Sequence, residues 1–481
     1  MEDSQQIMID YIENLLYTTP KLIKPKIRGN ERIFNHREEF YIIKRYIENF
    51  LEGKTKQRFI IMPGLRGVGK TTILYQIYDY LLNEKNIDSE RILFLNLDRI
   101  KDFTNFDLQN YVDCFLKDIH EAYPLVNQPV FIFVDESQYS NKWDNVGKII
   151  YDEDENVFLI FTGSDALNLE FSKESARRSL NCPVYPLNFS QYLYLKHNIQ
   201  LPNTFSNSLF DLIWTGNCDN AIKLEKNIKK EILTNLPINP TKEFNYYLKF
   251  GELPFSFDLE DYEIIQQTID MKNRIIEKDL DIISSFTSPN RMATYKLINM
   301  LAIQKPGDIS QNTIANTLDI AGATVSSIIS ALEKTQLIFH CEPYGSSQKR
   351  TTKSWKYYFL SNQIKSCIYL NIFQASSNPK DFLGLISENY VASALFKMKA
   401  KKGNFGIFYD SDKKGVDFLL NNTFGEIIPI EVGTGKKSIK QVKLAIKKKN
   451  STHGILISDR TDKIVKEDDI INIPLSTFSL M

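Results

Sequence analysis

The feature that most narrows what this chain can fold into is one short string behind an apolar run. FIIM leads through Pro63 into Gly64-Leu65-Arg66-Gly67-Val68-Gly69-Lys70-Thr71-Thr72, and an amphipathic segment follows. The spacing is G-x-x-x-x-G-K-T. With a strand before it and a helix after it, such a string reads as a phosphate loop rather than a plain glycine turn. Glycines let backbone N–H groups close around phosphate oxygens, and the N-terminus of the following helix adds a favourable dipole. Lys70 would neutralise β and γ oxygens, and the Thr71 hydroxyl would help to hold Mg²⁺. All nine residues from Gly64 to Thr72 are therefore expected to line a site for ATP and Mg²⁺, with ATP against GTP left open.

A phosphate loop needs a second element, an apolar strand that ends in an acid facing the metal. VFIFVDES supplies it, with Asp135 as the metal-side carboxylate and Glu136 beside it. An acid in that position can orient and deprotonate an attacking water, so Glu136 is the expected general base. The next apolar run, VFLIF, ends in Thr162-Gly163-Ser164, where Thr162 or Ser164 would sit between water and phosphate, or would simply cap a turn. Arg177 and Arg178 follow about a helix later. They would stabilise the transferred phosphate in their own site or a neighbour's, or be solvated surface charges.

The surroundings of these motifs set the fold class. Between Arg58 and Val184 short apolar runs (FIIM, ILFLNL, VFIFV, VFLIF) alternate with amphipathic stretches, the pattern of a parallel α/β sheet covered on both faces. At 481 residues the chain is too long for one core, and five segments emerge. They are a helical extension (1–30), the α/β core (31–203), a helical lid (204–287), a winged helix-turn-helix (288–362) and a small α/β unit (363–481). The five cysteines are scattered and never form C-x-x-C, so buried thiols in a reducing cytoplasm are expected rather than zinc or disulfides. No apolar run approaches the roughly 20 residues of a membrane span.

Net charge says nothing about partners, because Lys+Arg and Asp+Glu are 59 each. Local charge says more. Lys436 to Lys449 holds seven lysines and no acid, and the expected wing GSSQKRTTKSWKYYFL carries Lys349, Arg350, Lys353 and Lys356. Both could track the phosphates of double-stranded DNA, or be solvated faces. The expected recognition helix, from Ala323 to Lys334, offers Thr324, Ser326, Ser327 and Ser330 but little positive charge, so backbone contact is favoured over base reading. Other proteins are the alternative partner, and self-association is left open.

Taken in order, FNHREEF, the phosphate loop, FIFVDES, LIFTGSDAL, the ESARRSLNCPVYPLNFSQYL run, KFGELPF, RIIEKDL, KYYFL, ISENYVASAL and VDFLL with PIEVG resemble one family over nearly the whole length. It is a family of archaeal and bacterial AAA-type ATPases that carry a C-terminal restriction-endonuclease-like domain of unknown function. The resemblance implies a nucleotide-driven core, a helical lid, a winged helix and a nuclease-like tail. In that tail Asp417 and Glu431 match the two strand acids that hold Mg²⁺ in an active nuclease, and Glu388 could add a third. The lysine of the D/E-x-K pattern is replaced by Gly433, with Lys436 or Lys437 as substitutes from the loop. The simpler expectation is a domain kept for binding after losing cleavage.

Overall fold

The computed structural model describes residues 2–29, 33–100, 107–119, 128–140, 142–163, 177–283, 287–373, 379–433 and 436–481. The chain forms two compact units, one made chiefly of Met1–Tyr185 and the other chiefly of Pro186–Met481. The first therefore ends at Tyr185 rather than at residue 203. No single described helix is long and apolar enough to cross a membrane.

The first unit is the parallel α/β core that the apolar runs foretell. Strands β1 (Phe59–Pro63), β2 (Ile92–Asn96), β3 (Val130–Asp135), β4 (Val157–Gly163) and β5 (Leu180–Asn181) form a five-stranded sheet in the order β2-β3-β4-β1-β5. Every pairing in it is parallel. All residues of β1, β3 and β4 are buried, as a sheet covered on both faces requires. One face carries Phe59, Ile61, Ile132, Val134, Leu159 and Phe161, packed with Trp143, Val146 and Ile150 of the helix Trp143–Glu153. Met8, Ile12 and Leu16 of the helix Glu2–Lys26 join that cluster. Each such side chain contributes about 1.5–3 kcal/mol when fully buried. Consequently the phosphate loop leaves a fully buried strand.

The second unit is built on a nine-stranded sheet, β13-β14-β12-β11-β10-β9-β7-β8-β6. Its strands are β6 (Asp308–Ile309), β7 (Ile338–Pro343), β8 (Trp355–Phe359), β9 (Phe405–Tyr409), β10 (Phe418–Asn422), β11 (Ile427–Val432), β12 (Gly454–Ile457), β13 (Val465–Glu467) and β14 (Ile470–Ile473). The division expected between residues 362 and 363 runs through this sheet. The antiparallel pair β7–β8 continues into the tail because β7 pairs in parallel with β9, Glu342 opposite Phe408 and Pro343 opposite Tyr409. The connection between β7 and β8 is also not a bare polar loop. Ser346 accepts from the Lys349 amide and starts a helix over Ser347–Thr352.

The helical segments expected as a lid share a core with the tail. Phe205, Leu209, Leu212, Ile213, Ile228 and Ile232 belong to one cluster with Phe418, Ile430, Ile455 and Ile471. Polar contacts fasten them further: Glu225 accepts from the Ile464 amide at 2.9 Å and from Thr477 Oγ1 at 2.7 Å. The KFGELPF motif has a comparable role. Glu252, fully buried, accepts from Ser361 Oγ at 2.9 Å and from the Gln363 amide at 3.1 Å, with Lys397 Nζ at 3.7 Å. All five cysteines are buried, and none is in a disulfide.

Close packing in the first unit yields a stability test. A Cβ added at Gly147 would fall inside contact distance of the Phe59 ring. Gly147→Ala is expected to destabilise this unit by about 1–3 kcal/mol through overpacking, despite alanine's better helix propensity. Urea unfolding followed by circular dichroism measures it, and an unchanged or raised midpoint would contradict the packing described.

Candidate functional site

The loop begins where β1 ends. The Gly64 amide donates to the Gly163 carbonyl at 3.1 Å, and a side chain at Gly64 would run into the Val184 carbonyl oxygen. Gly67 and Gly69 have φ of 86° and 99°, the left-handed region in which glycine carries no steric penalty. Gly69 caps the helix Lys70–Asn83, so the free amides of its first turn face the loop. Lys70, only 6% exposed, turns its ammonium onto the carbonyls of Gly64 at 2.7 Å and Leu65 at 3.1 Å. These carbonyls are weak partners for a buried cation. Phosphate oxygens are stronger ones, and the lysine can move to them without crossing the loop.

Strand order brings the acids to the same place. β3 and β4 lie beside β1, so Asp135 and Thr162 emerge next to the first turn of the loop's helix. Asp135 is 1% exposed and takes three hydrogen bonds. Thr71 Oγ1 donates to its Oδ2 at 2.9 Å, Asn96 Nδ2 to the same oxygen at 2.9 Å, and Thr162 Oγ1 to Oδ1 at 2.6 Å. Burial first, then the neighbouring Glu136 carboxylate, pushes the Asp135 carboxyl up to about 6, against the pull of Thr162, Thr71 and Lys70. A hard divalent cation would relieve that penalty, and the hydroxyl-plus-carboxylate donor set suits Mg²⁺.

Glu136 has a left-handed backbone, φ 58° and ψ 49°, which is uncommon for a residue with a side chain. Its amide donates to Thr162 Oγ1 at 3.3 Å. Its carboxylate accepts from Gln138 Nε2 at 2.5 Å and lies 3.5 Å from Arg66 Nη2 of the loop itself. Thr162 thereby links both acids, from the strand position the sequence indicates. Ser164 lies outside the described residues. Arg177 and Arg178 precede β5, whose Leu180 pairs with Ile60, so they sit at the level where β1 begins, away from the loop. Arg178 Nε pairs with Asp152 at 2.6 Å. The structure does not bring either arginine to its own chain's loop.

Three residues of this site were not singled out from the sequence. Asn96 ends β2, and Gln138 follows the acid pair by two. Arg37, inside the FNHREEF motif, donates to the Val68 carbonyl of the loop at 2.6 Å and to the Tyr185 carbonyl at 2.8 Å, and pairs with Glu39 at 3.1 Å. The only sequence signal for Arg37 is its place in a polar stretch ahead of a strongly apolar core.

Comparison with known proteins agrees with this geometry. An AAA domain family matches residues 56–193, and two domains of unknown function, DUF8612 and DUF4143, match residues 241–369 and 383–478. The uncharacterized protein MJ1637 of Methanocaldococcus jannaschii is 34% identical over 475 residues, covering 98% of this chain and 94% of that protein. The chain belongs to the family of MJ1637. An uncharacterized protein of Haemophilus influenzae is 23% identical over 328 residues, covering 67% of this chain and 72% of its own. Among solved structures, Aeropyrum pernix ORC1 in complex with DNA is 11% identical, covering 72% of this chain and 94% of that one, with a TM-score of 0.33. AMPPCP-bound DnaA of Aquifex aeolicus is 15% identical, covering 63% and 90%, with a TM-score of 0.24. The AAA-domain match, with the glycine loop on a parallel sheet, makes the first unit of this MJ1637-family chain a P-loop unit of the AAA type.

The tail acids also converge. Phe418 of β10 pairs with Ile430 of β11, which places Asp417 beside Glu431. The Asp417 amide donates to Glu431 Oε2 at 3.2 Å, and the Val432 amide donates to Asp417 Oδ2 at 2.9 Å. Glu388, from the helix Pro379–Lys402, accepts from Lys356 Nζ at 3.2 Å and Tyr358 OH at 3.0 Å. Yet no group of three His, Cys, Asp or Glu among the described residues is placed to hold a metal ion. Gly433 has φ of 152°, a conformation that disfavours the lysine of the nuclease pattern. The side chains of Lys436 and Lys437 lie outside the described residues.

The charged faces proposed for DNA are partly spoken for. Lys356 points inward, with its side chain 12% exposed, so it belongs to the acidic cluster and not to a phosphate-tracking surface. Lys449 pairs with Asp410 and Asp412, each at 3.1 Å. Lys353 is exposed and Lys349 half-buried, while Ser326, Ser327 and Ser330 are exposed on the helix Gly322–Lys334.

Two outcomes follow from these contacts. Arg37→Ala leaves Glu39 and a loop carbonyl unpartnered in the interior and should cost the first unit about 3–5 kcal/mol, with Arg37→Lys costing less. Chemical unfolding of both variants tests this, and equal losses would contradict a forked role for the guanidinium. Burial, followed by the Asp417 charge, pushes the Glu431 carboxyl up from its ordinary 4.5 to about 8. Its folded-state value lies above the unfolded one, so the stability it lends is full below pH about 4.5 and lost as pH rises through about 8. Glu431→Gln should flatten that slope in unfolding measured across this range, and an unaltered slope would exclude Glu431 as its source.

Proposed function

We propose that this chain binds ATP with Mg²⁺ and hydrolyses it, and that the nucleotide state works a switch or motor acting on DNA. The supporting observation is the convergence of Lys70, Thr71, Asp135, Thr162 and Glu136 from separate elements onto one loop. In this reading the amides of Gly67 to Thr72 and the Lys70 ammonium hold the phosphates, while Thr71 and Asp135 hold the metal. The metal, when bound, supplies charge neutralisation at the β and γ oxygens. Glu136 takes the proton of the attacking water, and Thr162 positions that water between the two acids and the phosphate. Arg66 and Gln138, both on the Glu136 carboxylate, set where the base points.

DNA would be met through backbone phosphates, by Lys353 of the β7–β8 connection and by the exposed lysines Lys440, Lys443, Lys447 and Lys448 of the helix Lys436–Lys449. The exposed serines of the helix Gly322–Lys334 fit the same reading, in which this segment is a winged helix. A second reading has the ATP cycle gate a protein partner. It is favoured by the pairing of Lys449 with Asp410 and Asp412, which removes one cation from the lysine face.

Phosphate release measured with and without double-stranded DNA distinguishes them. Lys70→Ala is expected to abolish nucleotide binding, while Glu136→Gln binds ATP and turns over about 10²–10⁴-fold more slowly. Undiminished turnover in Glu136→Gln refutes the base assignment. DNA retention that falls steeply with salt and depends on nucleotide supports the first reading, whereas no retention at low salt supports the second.

A further inference from the structure

The tail holds a cation that neither its sequence motifs nor its family resemblance supplies. Lys356, on β8, extends across the sheet to the acids of β10, β11 and the helix Pro379–Lys402. Its ammonium lies 3.2 Å from Glu388 Oε1 and 3.9 Å from Asp417 Oδ1. We propose that Lys356 is the resident cation of the Glu388–Asp417–Glu431 cluster, filling the place in which a nuclease of this fold would bind a divalent metal.

Four independent features carry this. The ammonium occupies the gap between the Glu388 and Asp417 carboxylates, so a metal at about 2.0–2.6 Å from its oxygen ligands would sit against a like charge. Two further oxygens are committed to the backbone: Asp417 Oδ2 accepts from the Val432 amide and Glu431 Oε2 from the Asp417 amide. Gly433 has the wrong backbone conformation for the usual lysine, so the cation comes from another strand. Tyr358, on the same face of β8 two residues on, donates to the same Glu388 oxygen and fixes that carboxylate toward Lys356.

The electrostatics agree with the geometry. Glu388 and Asp417 hold the Lys356 ammonium above its ordinary range although burial works against them, so it stays charged. Glu388 and Asp417 are the two carboxylates within ion-pair reach of the ammonium. The consequence is structural as well as chemical. Lys356 belongs to the β7–β8 hairpin, so the acids are neutralised only while that hairpin is docked on the tail sheet.

Mn²⁺ binding to the full-length, nucleotide-free protein, read by electron paramagnetic resonance, tests the proposal without relying on the ATP site. Wild type and Asp417→Asn should give superimposable titrations. Lys356→Met, which keeps the stem and removes the charge, should bind Mn²⁺ roughly tenfold tighter or better, because the repelling charge is gone. Adding Asp417→Asn to it should abolish the gain. Wild-type Mn²⁺ binding that Asp417→Asn weakens overturns the proposal, and so does a folded Lys356→Met that binds no tighter than wild type. If Lys356→Met does not fold, the comparison of wild type with Asp417→Asn decides alone. Nicking of plasmid DNA with Mg²⁺ that Asp417→Asn eliminates would overturn it as well.

Discussion

The first unit depends on one buried carboxylate. Asp135 sits at the end of a fully buried strand with a hydrogen bond from each of three neighbouring elements: Thr71 from the loop's helix, Asn96 from β2 and Thr162 from β4. A charge in that position is costly unless it is partnered, and the partners lie on the very elements that must meet if a phosphate loop is to work. Folding and site assembly are therefore one event. The same burial that makes this carboxylate costly makes it receptive to a cation.

Around that carboxylate the loop is held from two sides. Gly64 is pinned between β4 and the Val184 carbonyl, and Arg37 grips Val68 from the segment that precedes the core. What can move lies between these clamps, namely the Lys70 ammonium and the Glu136 carboxylate, each resting on groups that a bound triphosphate would outcompete. The left-handed backbone at Glu136 costs on the order of 1–3 kcal/mol, and strain of this kind is retained where the surrounding structure over-determines it.

The second unit reaches a similar end with a different ion. Two of its acids lie side by side, Asp417 directly before β10 and Glu431 on the adjacent β11, and the third, Glu388, is on a helix; the opposing charge is an ammonium delivered from β8 of the same continuous sheet. A lysine on a flexible stem neutralises carboxylates without the coordination geometry that a metal demands. The ion pairs thereby join the hairpin to the tail.

What the sequence by itself determined was local. Gly64 to Thr72 and the acids Asp135 and Glu136 are legible because their chemistry depends on neighbours in the chain: a glycine-rich turn before a helix, and an acid after four apolar residues. The alternation of buried strands and amphipathic helices gives the parallel core for the same reason. Tertiary structure alone decided the rest. Arg37 and Asn96 act on partners far along the chain, Arg177 and Arg178 fall at the opposite end of the strands from their own loop, and the β7–β9 pairing joins a hairpin to a tail that composition had separated. Lys356 shows the limit most plainly, since a lysine among other lysines in a polar run reads as surface. Only strand order turns its side chain inward onto Glu388 and Asp417, because where a side chain's charge resides is set by what the sheet brings opposite it and not by the residues beside it.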